Sequence, residues 1–232
     1  MSESNVPLPN FLVIGAQRCA TSWIYFCLKE HPDIYLPFIK EVKFLNRNYE
    51  KGLDWYRRYF KLWSGQKAVG EISPSYIFTE GTAERIAACL GDVRLVACLR
   101  NPVLRAYSQY RKHVRAGATT TGFSEAVKRN PQFIERGFYH RQLERYLRVF
   151  GRERILVLIY EDIERDPRAF LKTIFAFLGV NAGFLPPTMW LVVTLGLAVA
   201  VVDSVAALRE GAAARLPMII FKNAALPILA LI

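Results

Sequence analysis

Short apolar runs alternate with longer amphipathic segments from about residue 10 to residue 187. The apolar runs predict strands at 11–15, 67–70, 93–99 and 155–160. The amphipathic segments predict helices at 21–31, 53–62, 80–90, 102–116, 138–150 and 167–178. Strands that alternate with helices are typical of a parallel sheet covered by helices. The pattern therefore predicts an α/β fold in three layers, with a central parallel sheet flanked by helices.

The pattern changes near the end of the chain. Between 189 and 208 the only charged residue is Asp203, and this length is about the 20 residues that a transmembrane helix needs. A second apolar segment follows at 216–232. These two apolar segments together have three possible interpretations: a membrane anchor, a pair of buried core helices, or a fused or frame-shifted end that truncates the preceding domain. We divide the chain into a domain at 1–187 and an apolar tail at 188–232, for which a membrane anchor is expected.

The first candidate for chemistry is the turn after the strand at 11–15. Arg18 offers a positive charge, and Thr21 and Ser22 place hydroxyls in the first turn of the predicted helix, where unpaired N–H groups and the helix dipole favour an anion. The turn lacks the Gly-Lys-Ser/Thr ending of a Walker A loop, so an ATPase of that type is not expected. An ordinary strand–turn–helix capped by a hydroxyl remains the alternative.

A second candidate lies after the strand at 93–99. Arg100 follows the strand, and Ser108 lies in the helix that comes next. Ligands bind at the carboxyl ends of parallel strands, so two such ends can hold two separate phosphates. The alternative for this pair is an arginine that holds a carboxylate and a serine that faces solvent.

Taken together, these segments resemble the sulfotransferases that use 3'-phosphoadenosine 5'-phosphosulfate, in particular the bacterial and heparan-sulfate-type branch. The blocks that carry the resemblance lie at 15–23, 40–45, 71–76, 100–108, 142–147 and 155–162. They follow the family's order and cover about residues 10–187. The resemblance implies a P-loop-like α/β fold and an enzyme that transfers a sulfuryl group from this donor to a hydroxyl or amine.

The resemblance also implies roles for individual residues. Arg18 would stabilise the 5'-phosphate that leaves, Glu41 would be the base for the acceptor, and Arg100 with Ser108 would hold the 3'-phosphate. The backbone N–H groups that would cradle the 5'-phosphosulfate belong to Cys19, Ala20, Thr21 and Ser22. From the residues alone, an exposed carboxylate between Lys40 and Lys43 is the better interpretation of Glu41, and the resemblance is what favours the base role.

Several positions depart from the family's pattern. Arg18 replaces a lysine, Ala20 replaces a glycine, and Ile72 stands where some glycosaminoglycan sulfotransferases have a lysine. The family's basic, glycine-containing final loop is not found in the tail. A donor-binding protein that has lost catalytic power is therefore the alternative to an active enzyme.

The composition indicates which classes of partner the protein is expected to bind. The net charge of +11 suits a polyanionic donor, an acidic glycan or an anionic membrane face, whereas no nucleic-acid motif is found, so no nucleic-acid partner is predicted. The cysteines lack zinc spacing, so no metal is predicted. The expected acceptor is a carbohydrate or glycolipid. Because 1–10 contains no secretory signal, we expect a cytoplasmic protein, attached to the cytoplasmic face of a membrane if the tail is an anchor.

Overall fold

A computed structural model describes residues 6–190, and within them five strands form one parallel sheet. The strands are β1 Phe11–Gly15, β2 Ile34–Tyr35, β3 Ala68–Ile72, β4 Arg94–Leu99 and β5 Ile155–Ile159. Their order across the sheet is β2-β3-β1-β4-β5, and every pairing is parallel. The predicted parallel sheet is confirmed. Almost all of the predicted apolar tail at 188–232 lies outside the described residues.

Helices cover the sheet, as the sequence pattern predicts. They are α1 Thr21–Lys29, α2 Phe44–Arg47, α3 Gly52–Arg57, α4 Thr82–Leu90, α5 Pro102–Arg115, α6 Phe123–Arg129, α7 Gln132–Glu135, α8 Tyr139–Phe150, α9 Glu161–Arg165 and α10 Pro167–Leu178. Two 3-10 turns lie at Tyr49–Lys51 and Arg58–Phe60. Two of the longer helices begin in the same manner, because the side chains of Asn101 and Asp166 accept hydrogen bonds from the first backbone amides and a proline follows each.

The central strands are buried on both faces, which explains their continuous apolar sequence. Every residue of β1 and β3 is buried, and five of the six residues of β4 are buried. Gly70 lets β3 approach the ring of Phe11 in β1, since a Cβ at this glycine would lie 2.5 Å from two ring carbons. The core therefore lies around β1, which pairs with β3 on one side and β4 on the other.

The topology brings four loops to one edge of the sheet. Because all the strands are parallel, the segments that follow β2, β3, β1 and β4 lie at the same edge in that spatial order. The chain turns from one side of β1 to the other between β3 and β4, and ligands of open α/β sheets bind at such a reversal of strand order. The blocks at 40–45, 71–76, 15–23 and 100–108 lie at or next to these strand ends.

The first residues of the predicted tail pack against this domain. The indole Nε1 of Trp23 in α1 donates to the carbonyl of Met189 at 3.2 Å, and Met189 is fully buried. The guanidinium of Arg168 lies 5.1 Å from the ring centre of Trp190. The chain therefore stays in contact with α1 and α10 up to residue 190.

Candidate active site

The loop between β1 and α1 has an unusual backbone. Arg18 and Ala20 both have left-handed backbones, with φ of 70° and 55°. Ala20 is the N-cap of α1, and no side chain caps this helix. The amide of Ala16 donates to the carbonyl of Cys98 at 2.7 Å, which ties the loop to β4. An uncapped helix start presents its N–H groups and its positive dipole end to an anion.

Arg18 extends from this loop to the second candidate segment. Its Nε and Nη2 donate to the Oγ of Ser108 at 3.1 and 2.9 Å, across 90 residues of sequence. Ser108 lies in α5 and is only 2% exposed. The structure thus brings Arg18 and Ser108 into direct contact, so the Arg18 guanidinium lies between the loop after β1 and the helix after β4.

Arg100 lies at the end of β4 and is 6% exposed. Its guanidinium carbon lies 4.4 Å from the ring centre of Tyr160, which places the charge over an aromatic face. Within residues 6–190, the buried Nε of Arg100 has no hydrogen-bond partner. A buried, charged N–H group without a hydrogen-bond acceptor costs free energy, and a bound anion would supply that acceptor. The Arg100 guanidinium is therefore suited to an anionic group.

Two further arginines near the loop were missed by the sequence analysis. Arg105 is fully buried on α5, where Nη2 donates to the carbonyl of Phe133, and its Nε and Nη1 have no partner in the described part of the chain. Arg136 donates from Nη1 to the Oε1 of Gln17 in the loop at 2.7 Å. Burial lowers the pKa of Arg105, and burial together with the Arg105 charge lowers the pKa of Arg136. Both cations add positive potential around the loop.

Cys19 occupies the middle of the loop as a thiol. It is fully buried, and burial raises its pKa to about 11 despite the nearby charge of Arg105. A thiol with such a pKa is not a nucleophile at neutral pH. The contribution of Cys19 to an anion site would therefore come from its backbone N–H.

Glu41 lies at the loop after β2, beside the start of α1. Its side chain is 21% exposed, with Oε2 at 3.1 Å from Nζ of Lys43 and Oε1 at 3.9 Å from Nζ of Lys40. Lys40 also donates to the Oγ of Ser22 at 3.4 Å. Burial, with the charges of Lys43 and Lys112, lowers the pKa of Lys40. The structure therefore connects Glu41 to the first turn of α1 through one lysine.

Glu71 is a second acid that sequence reasoning left without a role. It is 1% exposed at the carboxyl end of β3, and burial raises its pKa to about 7. Hydrogen bonds from Tyr76, Tyr56 and Ser73 oppose this rise. An acidic residue inside an apolar strand is the signal that could have singled it out.

The described residues also bear on metals and membranes. In residues 6–190, no three His, Cys, Asp or Glu side chains form a group that could hold a metal ion. No helix in the same part of the chain is long and apolar enough to cross a bilayer. Except for its first two residues, the predicted anchor at 189–232 lies outside the described residues.

Comparisons with known proteins point to one family. The family described as "Sulfotransferase domain" matches residues 8–187. The bifunctional heparan sulfate N-deacetylase/N-sulfotransferase 1 of Xenopus laevis is 31% identical over 195 residues, which cover 75% of this chain and 22% of that protein. The membrane-associated sulfotransferase kil1 of Dictyostelium discoideum is 38% identical over 106 residues, which cover 44% of this chain and 22% of that protein. The chain thus spans about a fifth of the length of these relatives.

Solved structures agree with this similarity. A sulfotransferase from Alicyclobacillus acidocaldarius is 34% identical, with a TM-score of 0.73 over 85% of this chain and 94% of that chain. The sulfotransferase domain from the curacin biosynthetic pathway is 13% identical, with a TM-score of 0.53 over 78% of this chain and 77% of that one, and shows the fold alone.

Proposed function

The chain belongs to the sulfotransferase domain family, and on that premise we propose that it transfers a sulfuryl group from 3'-phosphoadenosine 5'-phosphosulfate to a carbohydrate or glycolipid. One observation carries the proposal. The guanidinium of Arg18 contacts Ser108, next to an edge where buried Arg100 has an Nε without a partner among the described residues. Two separate anion positions at adjacent strand ends suit a donor that has phosphates on two different carbons.

The proposed donor would lie along the edge of the sheet from β1 to β4. The N–H groups of 19–22, with the Thr21 and Ser22 hydroxyls, would bind the 5'-phosphosulfate at the start of α1. Arg100 and Ser108 would bind the 3'-phosphate. Arg18 would lie between the two groups and stabilise the charge that develops on the leaving 5'-phosphate. This role requires charge rather than a proton, and a guanidinium keeps its charge at any physiological pH.

The proposed reaction is a single displacement at sulfur. The acceptor oxygen or nitrogen forms a bond to sulfur, the bond from sulfur to the 5'-phosphate oxygen breaks, and the acceptor proton moves to the carboxylate of Glu41. The products are the sulfated acceptor and 3',5'-diphosphoadenosine. Lys40 and Lys43 both lie within 4 Å of that carboxylate and hold it beside the first turn of α1.

Three observations support a carbohydrate acceptor. The relatives with heparan sulfate in their names suggest a sugar chain. Phe38, which is 85% exposed, lies two residues before Lys40, and a flat apolar ring suits a sugar face. The lysines around Glu41 suit an acidic glycan. Ile72 has no part in this surface, because it is 2% exposed inside β3.

We also propose that the protein acts in the cytoplasm, at a membrane face if 189–232 is an anchor. The membrane-associated Dictyostelium relative supports this view. Fractionation of cells that express the full chain, beside a version that ends at residue 190, tests it. Equal distribution of the two between membrane and soluble fractions would refute the anchor.

The alternative function is donor binding without efficient transfer, because Arg18 replaces a lysine and the family's basic final loop is not found in the sequence. Calorimetry measures whether the protein binds the donor nucleotide at all. We expect the full chain in detergent to bind 3',5'-diphosphoadenosine tightly and adenosine 5'-monophosphate weakly. Equal affinity for the two nucleotides would refute a 3'-phosphate site, and tight binding without any transfer would favour the alternative.

A further inference from the structure

Glu71 accepts hydrogen bonds from several polar groups that lie next to the 41–45 segment, which contains Glu41. Its Oε1 accepts hydrogen bonds from the hydroxyls of Tyr56, at 3.0 Å, and Tyr76. Its Oε2 accepts one from the Oγ of Ser73 at 3.1 Å. The backbone N–H of Val42 also lowers the pKa of this carboxyl. All three hydroxyls donate, so the ionised carboxylate accepts each of these hydrogen bonds.

Two of these hydroxyls extend the network into the loop. The amide of Lys43 donates to the Oγ of Ser73 at 3.1 Å, and the amide of Leu45 donates to the Oη of Tyr76 at 3.1 Å. A hydroxyl has one hydrogen, and here the carboxylate accepts it. Each oxygen therefore turns its lone pairs to the loop amide, and Glu71 sets the orientation of both hydroxyls.

The loop that these hydrogen bonds hold contains a residue with an unfavourable backbone conformation. Lys43 has φ 57° and ψ 30°, a left-handed conformation that costs a residue with a Cβ about 1–2 kcal/mol. Such a conformation persists only where surrounding contacts determine it. The contacts here are the amide bond of Lys43 to Ser73 and the burial of Phe44, which stacks on the ring of Tyr56 at 4.3 Å. The Nζ of the same lysine lies 3.1 Å from Oε2 of Glu41.

We infer that Glu71 is a positioning residue for the transfer reaction: through Ser73 and Tyr76, its carboxylate fixes the 41–45 segment and so the direction of Glu41. The inference rests on the proposed function of Glu41 as the base. Glu71 itself is 1% exposed, so its carboxylate is not accessible to an acceptor. The carboxylate holds the loop, and Glu41 takes the proton.

Two buried tyrosines provide a matched pair of variants. Tyr56 and Tyr76 are both 0% exposed and both donate to the same Oε1. Only Tyr76 also accepts a loop amide. Tyr56→Phe and Tyr76→Phe therefore each remove one hydrogen bond to Glu71, but only the second removes a contact to the loop.

The first readout is kinetic, on the full chain. We expect Tyr76→Phe to lower kcat about 10- to 100-fold, because small misplacements of a reacting group have effects of this size. The KM for the donor and the affinity for 3',5'-diphosphoadenosine should stay within about twofold, whereas Tyr56→Phe should keep kcat within about threefold. Equal kcat losses in the two variants, or a loss that appears in donor affinity, would overturn the inference.

The second readout does not depend on activity. Amide hydrogen exchange of the peptide that covers 41–48 should be faster in Tyr76→Phe than in the wild type, and unchanged in Tyr56→Phe. If Tyr76→Phe does not fold, Ser73→Ala replaces it, since Ser73 makes the parallel contact to Lys43. Unchanged exchange in a folded Tyr76→Phe or Ser73→Ala variant would refute the link to the loop, even if the proposed transfer itself fails.

Discussion

Replacing Arg100 with alanine removes the charge proposed to bind the 3'-phosphate. The guanidinium is 6% exposed, so solvent screens it little, and a hydrogen bond between charged groups contributes about 1.5–3 kcal/mol. We take about 3 kcal/mol because of this burial, and that energy corresponds to a roughly 150-fold rise in Kd for 3',5'-diphosphoadenosine. Adenosine 5'-monophosphate lacks the 3'-phosphate, so its Kd should change less than about threefold.

Calorimetry with both nucleotides measures the two effects in the same preparations. Arg115→Ala is the matched control, because Arg115 is exposed at the end of α5 and its loss changes the net charge by the same amount. The control should keep both affinities within about twofold. If Arg100→Ala weakens both nucleotides equally, or weakens neither while the protein stays folded, Arg100 does not bind the 3'-phosphate and the proposed donor orientation is wrong.

The remaining predictions concern the base, the loop and the buried acid. Glu41→Gln should keep the affinity for 3',5'-diphosphoadenosine and lower kcat about 10²- to 10⁴-fold, and full activity would exclude the base role. Ala20→Gly should raise the stability to thermal unfolding by about 0.5–1 kcal/mol, because φ 55° strains an alanine, and a lower melting temperature would contradict that reason. Burial raises the pKa of Glu71 from 4.5 to about 7, so the folded protein binds a proton at this carboxyl more tightly than the unfolded chain does. The free energy of unfolding of the wild type should therefore fall as the pH rises from 4.5 to 7, by at most about 3 kcal/mol. In denaturant unfolding, Glu71→Gln should lack that fall, and an identical slope in both proteins would show that Glu71 does not cause it.

The longer elements were predictable from the sequence because each has enough residues to show its period. The bounds of β1 and α10 agree with the structure, and the apolar run at 93–99 differs from β4 by one residue. By contrast, β2 has only two residues, and α2, α6, α7 and α9 have four to seven. Elements this short depend on tertiary contacts, which a local pattern does not contain.

The candidate site was predictable only in part. The loop after β1 and the segment after β4 could be singled out because each has polar residues directly after an apolar run. The contact between Arg18 and Ser108 could not, since it joins residues 90 positions apart. The role of Glu71 was hidden for a related reason, because the hydroxyls around it come from α3 and from the segment after β3.

The most direct test of the proposed function is sulfuryl transfer by the full chain in detergent. The assay measures 3',5'-diphosphoadenosine formed from the phosphosulfate donor, with and without an N-deacetylated heparan-type polysaccharide, and the sulfate gained by that polysaccharide. The proposed function predicts acceptor-dependent release, with one sulfate transferred for each nucleotide product. Selective donor binding by folded protein, without acceptor-dependent release on this or other glycan acceptors, would contradict it and leave a donor-binding protein.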